Sequence, residues 1–275
     1  MKRLFTLSFV LLLLASCGGG AEQKAAEKLQ LAQQALDAGD FNRAKTEIDS
    51  IKILYPKAFD ARKRGIILMQ QVELKEQEQT VAYLDSLLTA KEAAFAEIKN
   101  RFVLEKDTAY QEVGNYFWPT QVVEKNLHRS FLRFQVSERG VLSMTSIYCG
   151  PINIHHFAVK VSAPDGTFAE TPASNDSYET TDMDEKIEKA DYRLGEDGSV
   201  MGFINLNHDK NIRVEYLGGK KYVTTMLPTD RQALKELYVL SQLLTTIDQA
   251  KKEREEAMLK MGFITRKIKE NQPEE

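Results

Sequence analysis

Residues 129–149 read RSFLRFQVSERGVLSMTSIYC, and this stretch decides the fold that the sequence predicts for the middle of the chain. Its two runs, 129–138 and 141–149, are rich in apolar and β-branched residues interleaved with polar ones, which is typical of half-buried strands. Arg139-Gly140 separates the runs, and glycine supplies the positive φ that a tight hairpin needs. The stretch therefore predicts two antiparallel strands.

Four more strand-like runs follow, at 153–163, 199–205, 211–217 and 220–226. Turn signals separate them, namely Asp165-Gly166, Asp197-Gly198, Asp209-Lys210-Asn211 and Gly218-Gly219. Short strands divided in this way predict an antiparallel β-sandwich or small β-barrel over residues 107–228. The segment 171–185 is polar and acidic, and it predicts a loop.

Long helices are predicted on both sides of this β-rich region, over 24–106 and 229–269. In the first, apolar residues recur every seventh position, at Ile67, Leu74, Val81, Leu88, Phe95 and Phe102. In the second, three-four spacing links Leu237, Leu240, Leu244 and Ile247. This period predicts a coiled-coil seam, and because the two helices flank the β-rich region, the simplest pairing is antiparallel. Lys251 and Arg254 would then meet Gln or Glu side chains, and Asp230 would be the N-cap of the second helix. Pairing within one chain, pairing between chains and independent packing on the β-rich region all stay open.

The first part of the helical region has a recognisable spacing. Its small and apolar positions and its turn are Leu31, Ala32, Ala35, Gly39-Asp40-Phe41, Ala44, Ile48 and Ile51. This spacing resembles one tetratricopeptide repeat, although Lys28 stands where such repeats usually carry an aromatic residue. The resemblance implies a helical hairpin whose concave face holds a peptide or a protein partner. A plain helical hairpin is the alternative.

The N-terminus predicts the location of the protein. Lys2 and Arg3 precede an apolar run over 4–15, which ends in Leu14-Ala15-Ser16-Cys17. This ending resembles a bacterial lipobox, which implies cleavage between Ser16 and Cys17 and attachment of lipid, palmitate included, to Cys17. Residues 1–16 are then a signal peptide, 17–23 a lipidated flexible tether and 270–275 a disordered tail. Gly18 in place of Asp favours the outer membrane of the cell envelope, on a face left open, and a generic secretion signal is the alternative.

Composition limits the class of protein without revealing an activity. With 275 residues, 43% of them hydrophobic, and a formal charge of −3, the chain is neither collagen-like nor of low complexity. Removal of the leader with Lys2 and Arg3 lowers the charge to −5. We therefore expect no nucleic-acid partner and no general attraction to anionic lipid.

Candidate chemistry is sparse. Common nucleophile, phosphate-binding and His-Glu-x-x-His motifs are missing from the sequence, and no cofactor or metal is predicted. The adjacent pair His155-His156 would point to opposite faces of a strand, and the acidic residues 182–185 lack a complete Ca²⁺ loop. Cys149 is interpreted as a buried small hydrophobic residue, and a nucleophile or an intermolecular disulfide are the alternatives. Tyr116, Phe117 and Trp118 are either a partner-binding patch or a plug between the β-rich region and the helices.

Together these patterns predict an α+β protein in which a tetratricopeptide-like hairpin and long paired helices flank an antiparallel β-sandwich or small barrel. The predicted function is a membrane-anchored envelope lipoprotein, not an enzyme, that acts as an interaction or scaffold protein for another envelope protein. The alternative is a carrier or sensor that binds a small ligand, glycan or lipid in the β-rich region. A hydrolase would need a cleft with a convergent nucleophile and base.

Overall fold

The structure is a computed structural model, and it describes residues 19–271 of the chain. These residues form the predicted α+β fold, with five α-helices and two antiparallel sheets of six and four strands. The chain divides into two compact units. Unit 1 comprises Met1–Ser86 and Lys252–Glu275, and unit 2 comprises Leu87–Lys251.

The helices are α1 (Gly19–Asp37), α2 (Phe41–Leu54), α3 (Phe59–Ile98), α4 (Val200–Leu206) and α5 (Pro228–Asn271). The strands are β1 (Val103–Glu105), β2 (Asn115–Phe117), β3 (Phe131–Ser137), β4 (Leu142–Gly150), β5 (Ala158–Ser162), β6 (Phe168–Glu170), β7 (Ser177–Asp182), β8 (Glu185–Arg193), β9 (Arg213–Leu217) and β10 (Tyr222–Thr225). Both α3 and α5 contribute residues to each unit.

Helices α1 and α2 form the predicted hairpin of unit 1. Gly39 has a φ of +76°, which glycine adopts without steric cost. Asp40 Oδ1 then caps α2 by accepting a hydrogen bond of 3.0 Å from the backbone N–H of Arg43. The space between the helices is filled by Ala25, Ala32, Ala35, Ala44, Ile48 and Ile51. The hairpin is confirmed, whereas its tetratricopeptide character stays a prediction.

Helices α3 and α5 contact each other within unit 1. Asp85 forms an ion pair with Arg254, and Asn271 Nδ2 donates a hydrogen bond of 3.3 Å to Gln70 Oε1. The later residue of α3 therefore pairs with the earlier residue of α5, which is the antiparallel order. The predicted contact of Arg254 is present, with an Asp as its partner.

The same order holds within unit 2. Lys251 Nζ lies 2.7 Å from Glu92 Oε1, and Arg101 Nη2 lies 2.7 Å from Glu236 Oε2. Antiparallel pairing within one chain is therefore confirmed in each unit. The first helix ends at Ile98, earlier than predicted, and a 3₁₀ turn and the strand β1 occupy 99–105.

Unit 2 contains both sheets. The larger has the strand order β1-β2-β3-β4-β8-β7, and the smaller has the order β10-β9-β5-β6. Residues 129–149 form the predicted hairpin of β3 and β4, in which Phe134 pairs with Met144. The two sheets contact each other, because the hydroxyl of the buried Tyr216 in β9 donates a hydrogen bond of 3.0 Å to the main-chain carbonyl of Ile147 in β4. Neither sheet closes on itself, so the barrel alternative is wrong and the sandwich alternative holds.

Three local predictions in this region are wrong. Most of the segment 199–205 lies in α4 (Val200–Leu206) instead of a strand, since Val200, Met201 and Ile204 share one buried helical face. The segment 171–185 contains β7 and the start of β8 instead of a loop. Asp230 lies in the first turn of α5, which begins at Pro228, so it is not the N-cap.

The two edges of the larger sheet differ in composition. Strand β7 is exposed along its whole length and reads SYETTD, with Glu179 and Asp182 among its six residues. At the opposite edge, the short strand β1 exposes Val103 and Leu104. The exposed edge at β7 therefore carries acidic and hydroxyl side chains.

Candidate functional site

The predicted lipid attachment residue Cys17 and the neighbouring Ser16 lie outside the described residues, as do the signal peptide 1–16 and most of the tail 270–275. Helix α1 already includes residue 19. The expectation of a flexible tether over 17–23 is therefore wrong for 19–23, where the good helix formers Ala21, Glu22 and Gln23 extend α1. Among the helices of 19–271, none combines the length and apolar composition of a membrane span.

The first turn of α1 is bonded directly to the first turn of α3. Glu22 Oε1 accepts a hydrogen bond of 2.6 Å from the backbone N–H of Ala61. The antiparallel hairpin, held by the 2.7 Å ion pair of Lys28 and Glu47, brings the end of α2 to the start of α1. One end of unit 1 therefore contains the start of α1, the end of α2 and the start of α3.

This end of unit 1 carries exposed apolar and basic side chains, which we call the basic-apolar patch. It consists of Lys52, Ile53, Leu54, Lys57, Phe59, Arg62 and Lys63. Ile53 is 76% exposed, Leu54 58% and Phe59 71%. These three side chains lie outside the core of the helical hairpin, and large apolar groups clustered on a surface mark an interaction site.

A groove between α2 and α3 continues from the basic-apolar patch. Its volume is about 600 Å³. Its apolar lining includes Ile48, Ile51, Phe59, Ile66 and Met69. Gly65 of α3 lies at the floor of this groove, where an added Cβ would contact Ile48 Cγ2 of α2 at 3.4 Å. The patch and the groove form one surface on unit 1.

The aromatic segment 116–118 packs within unit 2. Phe117 is only 2% exposed, and the Arg133 guanidinium lies 4.0 Å from the centre of its ring. Tyr116 packs edge-on against Phe95 of α3, and Trp118 packs edge-on against Phe102. This packing is that of the plug alternative. A partner contact through the remaining exposed parts of Tyr116 and Trp118 stays a prediction.

A buried chain of three polar side chains was missed by the sequence reasoning. Ser146 Oγ lies 2.9 Å from His156 Nε2, and His156 Nδ1 lies 3.0 Å from Glu188 Oε2. This is the connectivity of a serine hydrolase triad. All three residues are buried, however, and Ser146 has no exposed surface. Because none of its surface reaches solvent, a substrate has no route to the Ser146 hydroxyl.

Glu188 also holds the main chain before β5. Its carboxylate accepts hydrogen bonds of 2.7, 2.9 and 2.8 Å from the backbone N–H groups of Ile154, His155 and His156. Burial alone would raise the pKa of Glu188, but these bonds outweigh burial and lower the pKa below its usual value. His155 has a φ of +55°, so the residues that the sequence assigned to a strand form a bend around the carboxylate.

A metal ligand set exists at the same place. Ligand atoms of His155, Glu179 and Glu188 lie within 4.8 Å of one another. His155 Nδ1 is 2.7 Å from Glu179 Oε1, and both oxygens of Glu188 are already hydrogen-bonded. A metal ion would have to displace several of these bonds, so the geometry favours a hydrogen-bonded structural cluster.

Cys149 borders a cleft of about 330 Å³ in unit 2. Burial raises the pKa of the Cys149 thiol, and the nearby Glu185 carboxylate raises it further, so the thiol is a poor nucleophile. In the same cleft the Arg129 guanidinium pairs with Asp230, whose pKa is raised by burial. Cys149 is only partly buried, whereas a buried residue was expected, and it lies beside charges that already pair with each other.

The sequence reasoning also missed the basic-apolar patch. The sequence does contain an indication of this patch, because residues 52–64 include five basic residues and a single acidic residue, Asp60. The apolar residues Ile53, Leu54 and Phe59 do not belong to the buried stripe of the repeat, so the repeat spacing assigned them no role.

Comparisons of the chain with protein-family models, with curated proteins and with solved structures find no match. The function must therefore be argued from the residues and the geometry of this chain.

Proposed function

We propose that this chain is a lipid-anchored protein of the bacterial cell envelope, favouring the outer membrane, and that it acts as a non-enzymatic interaction or scaffold protein. The observation that carries the proposal is the position of the lipobox residue Cys17, two residues before the first residue of α1. Lipid on Cys17 would hold unit 1 directly at a membrane. More than one acyl chain is needed for durable residence, because a single chain binds only marginally.

The state of the buried polar groups supports a role other than catalysis. Ser146 is enclosed, Glu188 is occupied by main-chain donors, and the pKa of the Cys149 thiol is raised by burial. A catalytic site instead needs a nucleophile and a base that converge on an accessible cleft. The described part of unit 2 does not bring these features together.

The packing of unit 2 also favours an interaction protein over a carrier. A carrier of lipid or another apolar ligand needs an apolar cavity between the sheets. Tyr148, Tyr216 and Tyr222 instead stack edge-on or tilted against one another there, with ring centres 5.1 to 6.5 Å apart. The cleft beside Cys149 is lined by polar groups as well as apolar ones.

Metabolic labelling tests the anchor. Cells that express the full chain should incorporate radiolabelled palmitate into it, and the variant Cys17→Ser should lose the label and accumulate as the uncleaved precursor. The matched control is Cys149→Ser, which should label like the unaltered chain. Persistent labelling of Cys17→Ser would refute the anchor.

Site-specific crosslinking tests the partner. A photoreactive residue in place of Phe168, which is 58% exposed on β6, should give a discrete adduct with another envelope protein in intact cells. The same residue at the buried Phe134 should give none. If photoreactive residues at exposed positions throughout unit 2 yield no adduct, the interaction role of this unit is excluded.

A further inference from the structure

We propose that the basic-apolar patch rests on the membrane surface and binds anionic phospholipid headgroups, as a second membrane contact beside the lipid on Cys17. The inference deepens the proposed function and rests on it, because the lipid is what brings this end of unit 1 to a bilayer. The patch itself was assigned no role by the sequence.

Cys17 lies close in sequence to the end of unit 1 that carries the patch. Cys17 is separated from α1 by Gly18 alone. An extended chain covers at most about 3.6 Å per residue, so the lipid-bearing residue lies within roughly 7 Å of the start of α1. The bond between Glu22 and Ala61 ties that start to the first turn of α3. A bilayer that holds the lipid must therefore lie close to the end of unit 1 that carries the patch.

The patch exposes large apolar side chains. Ile53 and Leu54 end α2, Phe59 begins α3, and all three side chains are more than half exposed. Apolar side chains of this kind enter the boundary between headgroups and acyl chains when a protein lies on a membrane. A bilayer removes from water the side chains that unit 1 leaves uncovered.

The patch also carries positive charge. Lys52, Lys57 and Lys63 are exposed around these apolar residues, and Arg62 is half-buried beside Phe59, with its guanidinium carbon 6.0 Å from the ring centre. Basic groups near a membrane surface are attracted by anionic headgroups. The overall charge of −5 expected for the processed chain hides this basic end, so the expectation of no attraction to anionic lipid does not hold locally.

A protein partner is the competing occupant of the same surface. The groove of about 600 Å³ that continues from the patch has the size of a binding site. The short link to Cys17 favours the bilayer, because the lipid places a membrane at this surface whenever the chain is anchored. A protein partner would have to insert between the bilayer and this surface of unit 1.

Vesicle flotation of the unlipidated chain tests the inference. The protein used is the full processed chain with Cys17→Ser, made without its leader. We expect it to float with vesicles that contain phosphatidylglycerol and to stay unbound with vesicles of phosphatidylcholine alone. Raising the salt from about 0.1 M to about 1 M should release it, because the screening length falls from about 10 Å to about 3 Å.

Two variants locate the contact. Phe59→Ser removes an apolar side chain that would insert, and the double variant Lys52→Glu/Lys63→Glu reverses two charges. Each should weaken vesicle binding about tenfold or more. The matched controls in unit 2 are Phe168→Ser and Lys99→Glu/Lys220→Glu, which should stay within about twofold of the parent. Circular dichroism should show unchanged helicity in all four, because the altered side chains are exposed or half-exposed.

The outcomes separate this inference from the anchor. Absence of binding to anionic vesicles, or equal losses in patch and control variants, overturns the membrane contact even when Cys17 carries palmitate. If the unaltered chain incorporates no palmitate in cells while the unlipidated chain binds anionic vesicles through the patch, the anchor is refuted and the membrane contact stands. A protein adduct at Phe59 in cells, together with no vesicle binding, would assign the patch to a protein partner and overturn the proposal.

Discussion

The carboxylate of Glu22 in α1 accepts a hydrogen bond of 2.6 Å from the backbone N–H of Ala61 in the first turn of α3. The first backbone N–H groups of a helix have no partner within the helix, so a side chain from another element here takes the part of a cap. The bond also carries negative charge to the positive end of the α3 dipole. Two helices that are distant in sequence are thereby joined at one end of unit 1.

Glu22→Ala should lower the free energy of unfolding by about 1 kcal/mol, the typical value of a lost helix cap. The measurement is urea denaturation followed by circular dichroism. Glu27→Ala on the exposed face of α1 is the control, and it should change stability by less than about 0.5 kcal/mol. Equal effects of the two substitutions would show that the bond to Ala61 does not stabilise unit 1.

Glu188→Gln should lower the free energy of unfolding by about 2–4 kcal/mol at neutral pH, because the amide nitrogen that replaces one carboxylate oxygen cannot accept the hydrogen bonds that this oxygen receives. The effect should depend on pH. Since folding lowers the pKa of Glu188, its contribution to stability is present above the unfolded pKa of about 4.3 and is lost as the pH falls through the folded pKa.

Chemical denaturation at a series of pH values checks this sign. The parent should lose more stability than Glu188→Gln as the pH falls from neutrality, so the difference between them should shrink. Glu179→Gln, at an exposed carboxylate of the same cluster, is the control. A difference that stays constant on acidification would exclude the charged carboxylate as the source.

Gly140→Ala should destabilise unit 2 by about 2–4 kcal/mol, through positive φ and steric conflict together. Gly140 has a φ of +86°, and an added Cβ would lie 2.3 Å from the backbone nitrogen of Thr245 in α5. Gly166 has nearly the same φ, +87°, with nothing within 4 Å of such a Cβ. Gly166→Ala should therefore cost only about 1 kcal/mol.

Thermal and urea unfolding of the two glycine variants give the comparison. The difference between them isolates the close approach of the β3–β4 turn to α5, since the backbone strain is common to both. Equal losses would mean that the turn and the helix separate readily to admit a methyl group.

Ser146 should not react with a fluorophosphonate probe in the folded protein, because its hydroxyl is enclosed although it lies 2.9 Å from His156 Nε2. Gel fluorescence after incubation with the probe is the measurement, with an active serine hydrolase as the positive control. Labelling that disappears in Ser146→Ala would reveal an accessible nucleophile and contradict the non-enzymatic proposal.

Parts of this fold follow directly from periodicity. The alternation around Arg139-Gly140 predicted the hairpin of β3 and β4. Seven-residue spacing predicted that α3 and α5 pair, and their positions on either side of the β-rich region predicted the antiparallel order. Lys251 was expected to meet a Gln or Glu side chain, and it pairs with Glu92. In both cases one face of the element is buried over many residues. A long buried face leaves a repeated pattern in the sequence.

Other parts leave a weak pattern or a misleading one. Strand β7 is exposed throughout and has no apolar face, so the hairpin of β7 and β8 looked like a loop. In β8 the inward positions are Glu188, Ala190 and Tyr192, and the carboxylate masks an otherwise regular alternation. The seven residues of α4 are too few to distinguish a buried helix from a buried strand by period.

The candidate site was less predictable than the fold. The predicted lipid attachment at Cys17 rests on a local motif, whereas the basic-apolar patch arises only when three helix ends meet. The Ser146-His156-Glu188 chain likewise depends on contacts between separate strands and a bend. Both are products of tertiary structure, and spacing along the chain did not show them.

The exposed edge at β7 has a consequence for crowding. Molecules held by lipid move in a plane and meet one another far more often than they would in solution, and unpaired strand edges then invite pairing between copies. The acidic side chains of Glu179 and Asp182 would repel the same edge of a neighbouring molecule. If the chain is lipid-anchored as proposed, a surface strand without an apolar face would therefore oppose sheet-to-sheet aggregation between neighbouring copies.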